Sequence, residues 1–109
     1  MAGMFKGMNL GGLMKKAQKM QSEMLKVQED LAKRVVEGTA GGGMVKVQVN
    51  GAREVLSVRI EAQAVDPNDV EMLEDLVLAA VKEGLRKADE MAKTEMAKLT
   101  GGLDLAGLM

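Results

Sequence analysis

Lys15, Lys16, Lys19 and Lys26 stand at helical spacing in a stretch that holds almost no opposite charge. At about 100° per residue, a helix carries Lys15, Lys19, Lys26 and Lys33 within about 40° of one another, as a single row of ammonium groups. Such a row does one kind of chemistry: it holds anions, and at regular intervals it holds a polyanion. No acid lies within four residues of Lys15 or Lys16, and the macrodipole disfavours cations in the first turns of a helix. The competing explanation is a solvated face braced by acid–base pairs at i,i+4, each contributing a few tenths of a kcal/mol. Glu29–Lys33, Asp30–Arg34, Glu83–Lys87 and Asp89–Lys93 have that spacing, with the acid on the favourable side, and are expected to pair. Lys15 and Lys16 have no such partner. A second basic set lies further along: Lys82, Arg86 and Lys93 share one helical face, and Lys87 and Lys98 another, with acids interspersed.

The rest of the reactive inventory is thin. The chain has no His, Cys, Tyr or Trp, so the usual general base and thiol nucleophile are missing, and no catalytic residue is expected. Ser22 and Ser57 have neither a His nor a nucleophile-elbow context. Gly41-Gly42-Gly43 leads into a strand and no Gly-Lys-Ser/Thr follows, which points to a turn instead of a phosphate cradle. Met1, Met4 and Met8 have spacing suited to a soft metal, but eleven methionines in a chain with one aromatic residue (Phe5) read better as packing material. No metal or other cofactor is expected. Aromatic platforms for single strands or RNA are missing, so the polyanion that fits best is duplex DNA gripped by its phosphates.

Composition agrees with a single soluble domain of 109 residues. The N-terminus lacks the apolar core of a signal peptide, and no run reaches the roughly 18 apolar residues of a membrane span, so a cytoplasmic location without membrane association is expected. The formal net charge of −1 hides an asymmetry: residues 1–28 carry five lysines against Glu23, leaving ten basic and fifteen acidic side chains elsewhere. Positive charge is thus concentrated in the N-terminal segment.

The elements that must position the lysines follow from periodicity. Residues 1–9 read as a flexible tail and residues 100–109 as another, flanking a single α+β domain at 10–99. Leu10, Leu13, Ala17, Met20, Met24, Val27 and Leu31 alternate steps of three and four, an a/d seam opposite the lysine row on a helix predicted over 10–36. At about 1.5 Å per residue that helix is near 40 Å long, more than the body of a compact domain this size. A β region is predicted over 36–61, about three antiparallel strands. Val36–Ala40 is a candidate edge strand, Val45, Val47 and Val49 face away from Lys46 and Gln48, Asn50-Gly51 signals a hairpin, and Leu56, Val58 and Ile60 alternate with polar residues. Asp66 as N-cap and Pro67 at the first position open a helix over 67–99, in which Gly84 marks a bend or a junction between two helices.

Two of these stretches resemble a known family. Gly41-Gly42-Gly43-Met44-Val45-Lys46-Val47-Gln48-Val49-Asn50-Gly51 is similar to the hairpin signature of the YbaB/EbfC family of bacterial nucleoid-associated proteins, and Asp66–Val77 resembles its second motif. The ending Met96–Leu103 and the Met/Lys/Gln-rich first helix are similar too, in the family's order over nearly the whole chain. The resemblance implies a homodimer with a β-sheet body and projecting helical arms that bind duplex DNA with modest or variable sequence preference, acting in the nucleoid and on gene expression. The chain departs from the usual pattern at Lys82-Glu83-Gly84, where members more often have Asn, an acid and Ala.

The expected DNA-contacting residues, taken from the helical-face argument, are Lys15, Lys16, Lys19, Lys26, Arg86, Lys87 and Lys93. Two other readings stand beside this one. The a/d seam would equally serve a scaffold protein recruiting a replication or recombination protein, and Met-rich helices would serve a holdase.

Overall fold

The computed structural model describes residues 10–99, so both expected tails lie outside the described residues. Helix α1 (Leu10–Lys33) leads into three strands, β1 (Val35–Ala40), β2 (Val45–Asn50) and β3 (Val55–Ile60). A short 3-10 turn at Ala62–Ala64 precedes the long helix α2 (Val70–Leu99). The strands form one antiparallel sheet in the order β1-β2-β3.

Helix α1 stops at Lys33, short of Val36, because the next residues have a better use. Val35 and Val36 are β-branched and pair with Asn50 and Val49 of β2. The break is sealed from across the fold: Gly51 N donates to Leu31 O (2.8 Å), which also accepts from Arg34 N (3.1 Å), and to Arg34 O (3.1 Å) just past the helix end. Gly51 does not have a positive φ, so turn strain is not why glycine stands there. A Cβ at this position would lie 2.6 Å from Leu31 O and 2.8 Å from Leu31 Cβ. The β2–β3 connection is instead a three-residue loop closed by Asn50 N donating to Glu54 O (3.0 Å), with Arg53 in the left-handed region at φ 66°.

Asn50 is buried and satisfies its side chain completely. Its Nδ2 donates to Ala32 O (3.1 Å) and Glu54 Oε1 (2.8 Å), while Oδ1 accepts from Ala52 N (3.0 Å) and Glu54 N (2.9 Å). One amide thus holds the hairpin loop and the end of α1 together. Asn50→Ala is expected to destabilise the protein by about 2–4 kcal/mol, because it strands several of these partners in a partly buried place. Urea denaturation measures it; a loss under about 0.5 kcal/mol would show that water replaces the amide.

The core lies between the sheet and α2. Val45, Val47 and Val49 are fully buried on one face, against Ala80 and Ala88 of α2 and a rim that includes Val36, Leu76 and Leu85. Ala80, Gly84 and Ala88 recur every four residues, and this narrow stripe lets the helix lie directly on β1. Gly38 of β1 meets it with no side chain of its own. Helix α2 runs unbroken through Gly84, so of the two arrangements expected, one helix or a pair, the chain forms one continuous helix in which Gly84 serves close packing. Its start is corrected. Asp66 Oδ1 accepts from Asn68 N (2.9 Å) in a local turn that uses Pro67, and the cap is Asp69, whose Oδ1 accepts from Met72 N (3.2 Å).

Helix α2 covers β1 and β2 but not β3, which is exposed along its whole length. The molecule measures 77 × 28 × 21 Å with a radius of gyration of 21.7 Å. A compact chain of this length has a radius near 13 Å, so the helices outrun the body as their length requires.

Candidate nucleic-acid interface

Exposure along α1 falls steadily toward the body. Leu10 and Leu13 are half exposed, Met20, Met24 and Val27 are half-buried, and Leu31 is buried. The C-terminal end of the helix is therefore anchored, and its N-terminal half stands clear of the core. Lys15, Lys16, Lys19 and Lys26 are all exposed on this element, and none forms an ion pair among the described residues. They are held by a helix that gives them regular spacing and leaves their charge uncompensated.

The α2 residues are placed differently. Arg86 pairs with Glu90 (2.7 Å), and Lys87 pairs with Glu83 (3.1 Å) while also donating to the Glu37 carbonyl of β1 (2.8 Å). Lys93 is exposed and has no ion pair among the described residues; with Arg86, Asp89, Glu90, Ala92 and Met96 it lines a shallow groove on α2. The seven expected residues thus fall into two groups, four exposed lysines along α1 and three cations on α2, two of them engaged within the chain.

Of the four expected i,i+4 pairs, Glu83–Lys87 forms. Two of the others lose to partners that only the fold supplies. Arg34 reaches Glu95 of α2 (2.8 Å) instead of Asp30, and Asp89 reaches Arg53 of the hairpin loop (3.3 Å) instead of Lys93. No pair joins Glu29 to Lys33, so Lys33 stays in the exposed lysine row. Sequence spacing finds neighbours on one helix but not across elements.

Glu95 receives both Arg34 and Lys98 (3.3 Å), and the hydrogen bond from Arg34, then that from Lys98, hold its carboxyl below the ordinary value of 4.5. A carboxyl lowered by folding adds stability above its ordinary range and loses it as pH falls through the folded value. The Arg34–Glu95 contact joins the end of α1 to the last turns of α2, so this stability belongs to the root of the arm. Wild type is expected to lose more stability than Glu95→Gln between about pH 7 and about pH 3. Parallel losses in denaturant titrations at the two pH values would contradict it.

Among the described residues, no cluster of carboxylates could hold a metal ion and no helix is long and apolar enough to cross a membrane. An uncovered sheet edge, long helices and a lysine row on the free part of one helix make this an α+β scaffold that presents charge on an arm. Comparison with known proteins gives that class a family. The model of the YbaB/EbfC DNA-binding family matches residues 5–103, and the chain belongs to that family. It is 54% identical over 102 residues to a nucleoid-associated protein of Pelotomaculum thermopropionicum, covering 94% of this chain and 97% of that one. It is 55% identical over 102 residues to a nucleoid-associated protein of Thermoanaerobacter pseudethanolicus, covering 94% and 92%. A crystal structure of an uncharacterized protein from Helicobacter pylori superposes with a TM-score of 0.76 at 23% identity, over 84% of this chain and 97% of that one, which supports the fold.

Proposed function

We propose that this protein is a non-enzymatic, nucleoid-associated homodimer that binds duplex DNA chiefly through phosphate contacts, in the cytoplasm, and so affects nucleoid organisation and gene expression. The observation that carries the reading is the set Lys15, Lys16, Lys19 and Lys26, exposed along α1 without an ion pair among the described residues, in a chain of a DNA-binding family. Lys93 assists from α2, and Arg86 and Lys87 do so by exchanging their internal acids for phosphate. Because the contacts assigned to these cations are all to phosphate, binding is largely indifferent to sequence. Titration with several unrelated duplexes tests this: affinities within about threefold are expected, and strong preference for one sequence would contradict it.

The dimer is supported by what α2 leaves uncovered. Val55, Leu56, Val58 and Ile60 of β3 are 38–51% exposed. Beside them a groove of about 460 Å³ runs between β3 and α2, lined by Ile60, Leu73, Glu74, Val77, Leu78 and Val81. An apolar edge strand beside an apolar groove is a hazard in a lone chain and an interface in a pair. Two chains meeting here bury both and leave the arms free. A solution mass of two chains is expected, and Val58→Lys is expected to shift it toward one; a wild-type mass of one chain would contradict the dimer.

A second reading is favoured by the exposed start of the a/d seam, where Leu10, Leu13 and Met14 are 49–64% exposed. In that reading a replication or recombination protein supplies a helix to the seam. Partner capture that survives nuclease treatment and is lost in Leu13→Glu separates it from DNA binding.

A further inference from the structure

The hairpin motif has polar positions that neither the core nor the arms use. Val45, Val47 and Val49 are buried under α2, so Lys46 and Gln48 point to the opposite face of the sheet, where they are exposed. The β2–β3 register places Lys46 directly across from Arg59, and Gln48 across from Ser57. Together with Glu37 of β1, these four line a groove of about 290 Å³ across the outer face.

Like charges directly opposite one another destabilise a strand pair. Neither Lys46 nor Arg59 forms an ion pair among the described residues, although Glu37 lies on the same face. Edge protection accounts for a cation on β3 but not for one on the central strand β2. Ser57 Oγ donates to Gln48 Oε1 (3.3 Å), which leaves the Gln48 amide nitrogen as a donor into the groove. A guanidinium, an ammonium and an amide N–H converge there, while the Glu37 carboxylate repels an anion from the β1 side. The lining has no aromatic or large apolar side chain to hold a base, so it suits the phosphodiester part of a nucleic acid alone.

We propose that the outer face of the sheet is a second phosphate-contacting surface, in which Lys46 and Arg59 of each chain grip one backbone phosphate of duplex DNA and Gln48 donates to it. The proposal rests on the DNA-binding reading and adds to it a contact on the body.

The test is a DNA titration at several salt concentrations with the full chain, comparing wild type, Lys46→Gln/Arg59→Gln and the charge-conserving swap Lys46→Arg/Arg59→Lys. The double Gln variant is expected to bind all sequences about tenfold more weakly, with the slope of log K against log[salt] less steep by about one per chain. Its thermal midpoint should equal or exceed that of wild type, because a like-charge pair is removed. The swap should bind as wild type does. A steep wild-type slope with no change in the double Gln variant overturns this proposal alone. A wild-type slope near zero overturns the DNA-binding reading and the proposal with it.

Discussion

Replacing Lys15 and Lys19 together with glutamate is expected to lower affinity for every duplex by about a hundredfold or more at low salt, while the folded protein keeps its stability. Both side chains are exposed, belong to one helical row and make no ion pair among the described residues, so nothing in the fold depends on their charge. Surface changes of this kind stay within about 0.5 kcal/mol. In the proposed dimer the same substitutions remove positive charge from both arms and put repulsion in its place. Loss of binding with unchanged melting places the interface on the α1 arm; undiminished affinity would place it on another face of the molecule.

Gly38→Ala is expected to cost about 3 kcal/mol or more, the upper end for forcing an atom into a packed interior. A Cβ at Gly38 would lie 2.1 Å from Ala80 O, 2.3 Å from Gly84 N and 2.8 Å from Gly84 Cα. All three are backbone atoms of α2, so no side chain can turn aside and the helix itself must lift off the sheet. Lifting it opens the contact that covers Val45, Val47 and Val49. For a domain whose total stability is of order 5–15 kcal/mol, that is a large fraction. Gly84→Ala makes the informative contrast. Its Cβ would meet Val49 Cγ2 at 2.7 Å, with the nearest backbone atom, Gly38 N, at 3.5 Å. One methyl group must move, and a helix interior favours Ala over Gly by about 1 kcal/mol. Denaturant melts should therefore rank Gly38→Ala well below Gly84→Ala; equal losses would mean that the helix-on-strand contact is looser than its geometry.

The elements were legible because their patterns are long and clean. The seam from Leu10 to Leu31, the Val45-Val47-Val49 alternation and the stripe through Ala80 each repeat often enough to name helix, strand and helix in order. Boundaries were not legible where two rules compete. Val35 and Val36 extend the apolar run of α1, yet their β-branched side chains and their pairing partners on β2 draw them into the sheet. Asp66-Pro67 carries the signs of a helix start, yet it forms a turn and leaves the cap to Asp69. The roles of the glycines were hidden for a different reason. Gly51 and Gly84 look like a turn residue and a helix breaker, but both are places where two elements nearly touch, which no single-element pattern records.

The candidate site divides in the same way. An exposed, unpaired lysine row on one helix is a local property, and periodicity alone reads Lys15, Lys16, Lys19 and Lys26 correctly as solvent-facing. Ion pairs between elements are not local, so Arg34–Glu95 and Arg53–Asp89 could not be foreseen from i,i+4 spacing. Nor could the position of Lys46 opposite Arg59. Alternation assigns each to a polar face, but only the register of β2 on β3 brings them together.

The salt dependence of DNA binding tests the central claim most directly. If a dimer neutralises roughly six to eight phosphates, log K should fall linearly with log[salt] at a slope of about −5 to −7, and equally for unrelated duplexes. A slope near zero, or binding that survives high salt, would contradict a phosphate-gripping arm and return the exposed seam of α1 to a protein partner.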